Sequence, residues 1–97
     1  MKLEEKLVKD AHVLLNPIRF RIVELLVEKP MHISELSRAL GVERRRVTYH
    51  LITLEERGFV KSKYEISEQG KSKGKALRVY TVTDKVKRLK EELKREL

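Results

Sequence analysis

The chain has 97 residues, with 23 Lys and Arg against 15 Asp and Glu, a formal net charge of +8 and a pI near 9.9. That length supplies one modest core and leaves no room for a catalytic domain beside a sensor domain, and the positive balance favours a polyanionic partner without proving one. There is no cysteine, which excludes a disulfide framework and a thiolate metal site. No apolar run approaches the ~18 residues that span a bilayer, and no signal peptide is seen, so a cytoplasmic location is expected. The 39% charged fraction, with one Asn and one Gln, resembles the composition of hyperthermophile proteins.

The first helix is expected from about Leu3 to Leu15, because Leu3, Leu7, Ala11, Leu14 and Leu15 fall on one face while Glu4, Lys6, Lys9 and Asp10 fall elsewhere. Asn16 can cap the next helix with its side-chain oxygen, and Pro17 suits the first helical position, where its missing N–H would lack a partner anyway. That second helix carries Ile18, Ile22, Leu25 and Leu26 inward. It closes at Lys29-Pro30, since the residue before a proline avoids the helical region. A third helix starts near His32, with Glu35 three residues on as in a capping box, and His in place of Ser or Thr predicts a weak cap. Ile33, Leu36 and Leu40 recur at helical spacing, Gly41 supplies the backbone freedom for a sharp turn, and a fourth helix resumes the stripe at Val47, Leu51 and Leu54. It is expected over about Glu43 to Arg57. With Val47 inward and a rotation of about 100° per residue, Arg45, Thr48, Tyr49, Ile52 and Glu56 face outward.

Gly58 is placed to end the fourth helix in the left-handed conformation. β-Branched and aromatic residues then predict two strands, Phe59 to Ile66 and Ala76 to Thr83, joined by a loop of Gly, Ser and Lys from Ser67 to Lys75. Across residues 61 to 78, Lys61, Lys63, Lys71, Lys73, Lys75 and Arg78 outweigh Glu65 and Glu68. A fifth helix is capped by Thr83 or Asp84 and repeats Val86, Leu89, Leu93 and Leu97.

Residues 33 to 60 thus place two short amphipathic helices around one glycine, with basic and polar residues opening the second, as a DNA-reading helix-turn-helix requires. The string resembles the winged helix-turn-helix of ArsR-like transcriptional regulators, with MarR-like regulators the nearest alternative. Upstream, Asn16-Pro17-Ile18-Arg19-Phe20-Arg21-Ile22 is similar to the family's Asn or Asp, Pro and arginine-rich helix start. Downstream, Gly58-Phe59-Val60 and Tyr80-Thr81-Val82-Thr83 are similar to its wing, so the resemblance covers residues 14 to 84. It implies a mainly α fold with a small β-hairpin (α+β), a winged helix-turn-helix of about five helices plus a two-stranded wing. Residues 1–97 would form one domain, with the helix-turn-helix at 32–57, the wing at 59–83 and dimerising terminal helices at 3–15 and 84–97. The dimer surface expected is Leu3, Leu7, Val86, Leu89, Leu93 and Leu97, because so small a domain has little core left for the leucine face of its last helix. Two heptads suffice for a small bundle and not for a long coiled coil.

Arg44-Arg45-Arg46 reads either as a solvated charge run or as the basic entry of a recognition helix, and its position favours the second. Arg45 points most directly outward, toward base edges, while Arg44 and Arg46 lie on the flanks, suited to phosphates. Thr48 and Tyr49 stand where the family often has a small hydroxyl residue and an arginine. Tyr49 reads as a DNA contact or as a ring leaning on its own helix, and Ile52 as a partner for a thymine methyl or as packing under the wing. Lys71, Lys73 and Lys75 suit phosphates. His50 resembles the family's histidine before leucine and is expected to be structural. His12 and His32 are isolated and no histidine lies in the last helix, so the metal sensing of the family is not carried over and no cofactor is expected. No activated nucleophile and no phosphate-cradling glycine loop points to an enzyme. The expected function is a homodimeric transcription regulator, most simply a repressor, on an inverted repeat of duplex DNA. The alternatives are a protein-protein module and a sequence-neutral nucleic-acid binder.

Overall fold

In the computed structural model, which describes residues 4–68 and 70–96, the elements run α1 (Glu5–Leu14), α2 (Pro17–Glu28), β1 (Met31–His32), α3 (Ile33–Leu40), α4 (Arg44–Glu56), β2 (Val60–Ile66), β3 (Ala76–Val82) and α5 (Asp84–Glu96). A 3-10 turn at Gly70–Ser72 lies between the last two strands. Leu3 and Leu97, expected in the terminal helices, fall outside the described residues, as does Gln69 of the wing tip.

The helix ends follow from local chemistry. Asn16 Oδ1 accepts from the backbone N–H groups of Ile18 and Arg19 at 3.0 and 3.2 Å, with Pro17 in the first turn. The weak cap expected at His32 is corrected. Its Nδ1 accepts from Glu35 N–H at 3.3 Å while Glu35 Oε1 accepts from His32 N–H at 3.1 Å, so both halves of the box are made by a ring nitrogen standing in for a hydroxyl. Gly41, at φ 65° and ψ 32°, turns the chain between α3 and α4, and Ser37 Oγ donates to Val42 O at 2.6 Å across that turn. Gly58, at φ 81°, ends α4 in a Schellman motif: Phe59 N–H donates to Leu54 O at 2.8 Å and Gly58 N–H to Glu55 O at 3.0 Å.

The sheet has three strands where two were expected, in the order β1-β3-β2 and antiparallel throughout. Met31 pairs with Tyr80 and His32 with Val79, while β2 and β3 pair from Val60↔Val82 out to Ile66↔Ala76. The core gathers Ile22 of α2, Leu36 of α3, Val47, Leu51 and Leu54 of α4, and Phe59, all fully buried.

The terminal helices require a second correction. Leu7 and Leu89 are only 5% and 6% exposed and belong to this core. The leucine face of α5 therefore has a partner in its own chain, because α1 and α5 pack on each other. Lys85 Nζ reinforces the join: it lies 3.4 Å from Asp10 Oδ1, donates to Arg57 O at 2.6 Å and sits 4.6 Å from the centre of the Phe59 ring. Thr83, just before α5, turns its hydroxyl to Gly58 O at 2.6 Å and so ties the helix start to the end of α4. Among the described residues no helix is long and apolar enough to cross a membrane.

Candidate nucleic-acid interface

Burial divides α4 into two sides. Val47, His50, Leu51 and Leu54 are buried, while Arg44, Arg45 and Arg46 are exposed in its first turn. Further along the outer side Thr48 is half-buried, Tyr49 is 61% exposed and Ile52 is 52% exposed. Arg45 makes no hydrogen bond or ion pair with any described residue. The Tyr49 ring stands edge-on to that of His50, centroids 5.2 Å apart, so it leans on its neighbour while keeping its outer edge in solvent.

His50 is a joint in the scaffold. Its Nδ1 accepts from Arg19 Nε at 3.2 Å, and Arg19 Nη1 donates to Val13 O at 3.3 Å, linking α1, α2 and α4 through one guanidinium. Burial, then the positive charges of Arg19 and Arg46, hold the imidazole pKa below its ordinary 6.5. The ring is neutral at pH 7, with Nδ1 free to accept and the proton on Nε2. Arg19 had been placed by motif resemblance alone, and its geometry explains why a basic residue begins α2.

Side chains alternate along the wing. Val60, Ser62, Tyr64 and Ile66 share one face with their cross-strand partners Val82, Tyr80, Arg78 and Ala76. Ser62 and Arg78 on this face hydrogen-bond to Glu55 of α4, whereas Lys61 and Lys63 project from the opposite face. Lys63 pairs with Glu65 at 3.3 Å and Arg78 with Glu55 at 2.9 Å. Lys71, Lys73 and Lys75 remain exposed at the tip, where Gly74 N–H donates to Ser67 O at 2.8 Å and Ser67 N–H to Lys75 O at 2.9 Å. Tyr64 and Ile66, exposed on the face nearer α4, were missed from the sequence. Counting in twos outward from an inward Val60 would have found them.

A groove of about 820 Å³ runs between α1, α2 and α5, its apolar lining including Leu14, Leu15, Phe20, Val27, Val86 and Leu93. Val86 and Leu93 were expected at a dimer surface. Leu15, Phe20 and Val27 were not, although all three are large and exposed. The family's metal sites would need clustered ligands. Among the described residues of the single chain no three His, Asp or Glu stand together, and the chain has no Cys to supply a thiolate ligand.

A helix-turn-helix braced by a β-hairpin, with an arginine-opened helix on its surface, defines a winged helix-turn-helix protein. The model of the ArsR family of bacterial regulatory proteins matches residues 16–62, from the Asn16 cap to Ser62 of the wing. A proposed transcriptional regulator from Thermoplasma acidophilum is 30% identical, with a TM-score of 0.66 over 88% of this chain and 89% of that one. A transcriptional regulator homologue from Pyrococcus horikoshii is 25% identical, with a TM-score of 0.67 over 92% and 91%. The transcriptional repressor BigR from Xylella fastidiosa is 25% identical, with a TM-score of 0.63; the match covers 81% of this chain and 66% of that longer one. No curated protein matches the chain. The chain is an ArsR-like winged helix-turn-helix protein, and the proteins it resembles are DNA-binding transcription regulators and not enzymes.

Proposed function

We propose that the protein is a cytoplasmic homodimer that binds duplex DNA at an inverted repeat and regulates transcription without a metal, most simply by occluding a promoter. The observation that carries this reading is the outer side of α4, where three exposed arginines lead into Thr48, Tyr49 and Ile52. Arg45 would read a base edge, Arg44 and Arg46 would hold phosphates, and Lys71, Lys73 and Lys75 would extend the phosphate contacts from the wing. Two such helices related by a twofold axis would address two half-sites. The groove between α1, α2 and α5 supports pairing, since Leu15, Phe20 and Val27 are apolar side chains left in water by the single chain. Its centre is then Leu15, Phe20, Val27, Val86 and Leu93, with Leu7 and Leu89 supporting from beneath. The repressor role rests on likeness to BigR.

Selection from a pool of random duplexes tests the reading. Enrichment of an inverted repeat supports it, equal binding of all duplexes replaces it with sequence-neutral coating, and no binding at low salt leaves a protein-protein module.

A further inference from the structure

We infer that Arg78 is a positioning residue, which with Ser62 and Glu55 bolts the wing to the recognition helix at a set angle and does not itself contact DNA. Arg78 Nη2 donates to Glu55 Oε1 at 2.9 Å, Arg78 Nε donates to Ser62 Oγ at 2.8 Å, and Ser62 Oγ donates to Glu55 Oε2 at 2.8 Å. Both carboxylate oxygens are engaged, and the serine hydroxyl serves as acceptor and donor in one closed ring of bonds across α4, β2 and β3. The guanidinium carbon lies 5.5 Å from the centre of the Tyr80 ring, a cation–π contact that holds the arginine from below. All three links have the guanidinium or the carboxylate as a partner and so are charge-assisted, which makes them short and directional.

The place of this ring in the hairpin gives it a task. Val60 and Tyr80 are buried at the stem, whereas Tyr64 and Ile66 further out are exposed. The ring sits at that boundary, where packing stops fixing the angle of the hairpin. From Ser62 to the tip is about five residues, or roughly 17 Å at about 3.4 Å per residue. A tilt of about 15° at the ring would carry the tip lysines about 4 Å, enough to lose phosphates spaced for Arg44 and Arg46.

Charge makes the idea testable in sign. Near a polyanion, removal of Glu55 by itself strengthens binding, but removal of a bolt weakens it. The inference rests on DNA binding by this face, so its test has one arm with DNA and one without. With DNA, Glu55→Ala and Arg78→Met should both bind the selected site more weakly. Both should lose the wing's share of the salt slope, so that adding Lys71→Ala, Lys73→Ala and Lys75→Ala changes neither variant further. Ser62→Ala, the mildest change, should move the same way by less. Without DNA, spin labels on Lys73→Cys and Glu56→Cys, diluted with unlabelled protein, report the wing-to-helix distance, and the cysteine-free chain makes the labelling specific. The distribution should be narrow with the ring intact and broad in Glu55→Ala. An unchanged distribution in a folded Glu55→Ala overturns the bolt even if the protein binds no DNA. Binding by Glu55→Ala as tight as the parent or tighter overturns it if the protein does.

Discussion

Arg45→Ala is the sharpest perturbation of the proposed readout. The parent side chain is exposed and bonded to no described residue, and alanine is the better helix former, so stability should move by no more than about 0.5 kcal/mol. The change in affinity is then almost purely a change in binding. An arginine paired with both acceptors of a guanine contributes about 1 to 3 kcal/mol of discrimination. At 1.36 kcal/mol per decade, that is roughly 5- to 150-fold in Kd for each half-site. Fluorescence anisotropy on the selected duplex and on duplexes altered one base pair at a time, each from low to moderate salt, separates the two roles open to Arg45. Base readout predicts that selectivity collapses at one position per half-site while the salt slope stays nearly constant. A phosphate contact predicts equal weakening on every sequence and a slope reduced by about 0.9. The second pattern, or unchanged affinity with an unchanged motif, refutes the assignment of Arg45 to base readout.

Replacing Lys71, Lys73 and Lys75 together with Ala should weaken binding on all sequences alike and lower the slope of log K against log salt by up to about 0.9 for each lysine; a slope that stays put removes the wing tip from the interface. Light scattering should give a dimer at micromolar concentration, and Phe20→Glu should give a folded monomer, since Phe20 is half-exposed in the single chain. A parent mass of one chain ends the dimer proposal. Leu89→Ala should instead lower the stability of the chain itself, by about 2 to 5 kcal/mol, as a core leucine does. The lowered pKa of His50 means that the unfolded chain binds more protons than the folded one, so stability should fall as the pH drops from about 6.5 through the lower folded value. His50→Asn keeps an acceptor for Arg19 and removes the titration. Urea midpoints across this range should therefore slope more steeply in the parent, and parallel profiles would show that His50 is not the group responsible.

Helices and hairpin were readable in order because their signals are local: the Asn16-Pro17 cap, the stripe at Val47, Leu51 and Leu54, and the glycines at 41 and 58 each act within a turn or two of chain. Two-residue β1 was not readable, since Met31–His32 is too short for any alternation and owes its strand character to β3 nearly fifty residues later. A helical repeat shows that Leu89 must be covered but not by which molecule, and the covering lies within the same chain, where α5 packs against α1. Charge was legible as a sum and not by location. Arg78 counted as one more wing cation until the fold brought it to Glu55, and Lys63 until it met Glu65. The outward set Arg45, Tyr49 and Ile52 was accessible from the 100° rotation alone, because one buried residue fixes the azimuth of a whole helix.

His32 holds two posts at once, pairing with Val79 in the sheet and capping α3 through its ring. Strand register changes face with every residue added, while a capping box works only at a spacing of three. One inserted residue between Met31 and Glu35 would therefore break either the β1–β3 pairing or the start of the helix-turn-helix. The turn at Gly70–Ser72 carries no such double duty. In this fold the tolerance for insertions and deletions is therefore uneven: the first segment is pinned by the structure on both sides, whereas an insertion in the second would spare the fold and displace only the Lys71 and Lys73 contacts proposed for the wing.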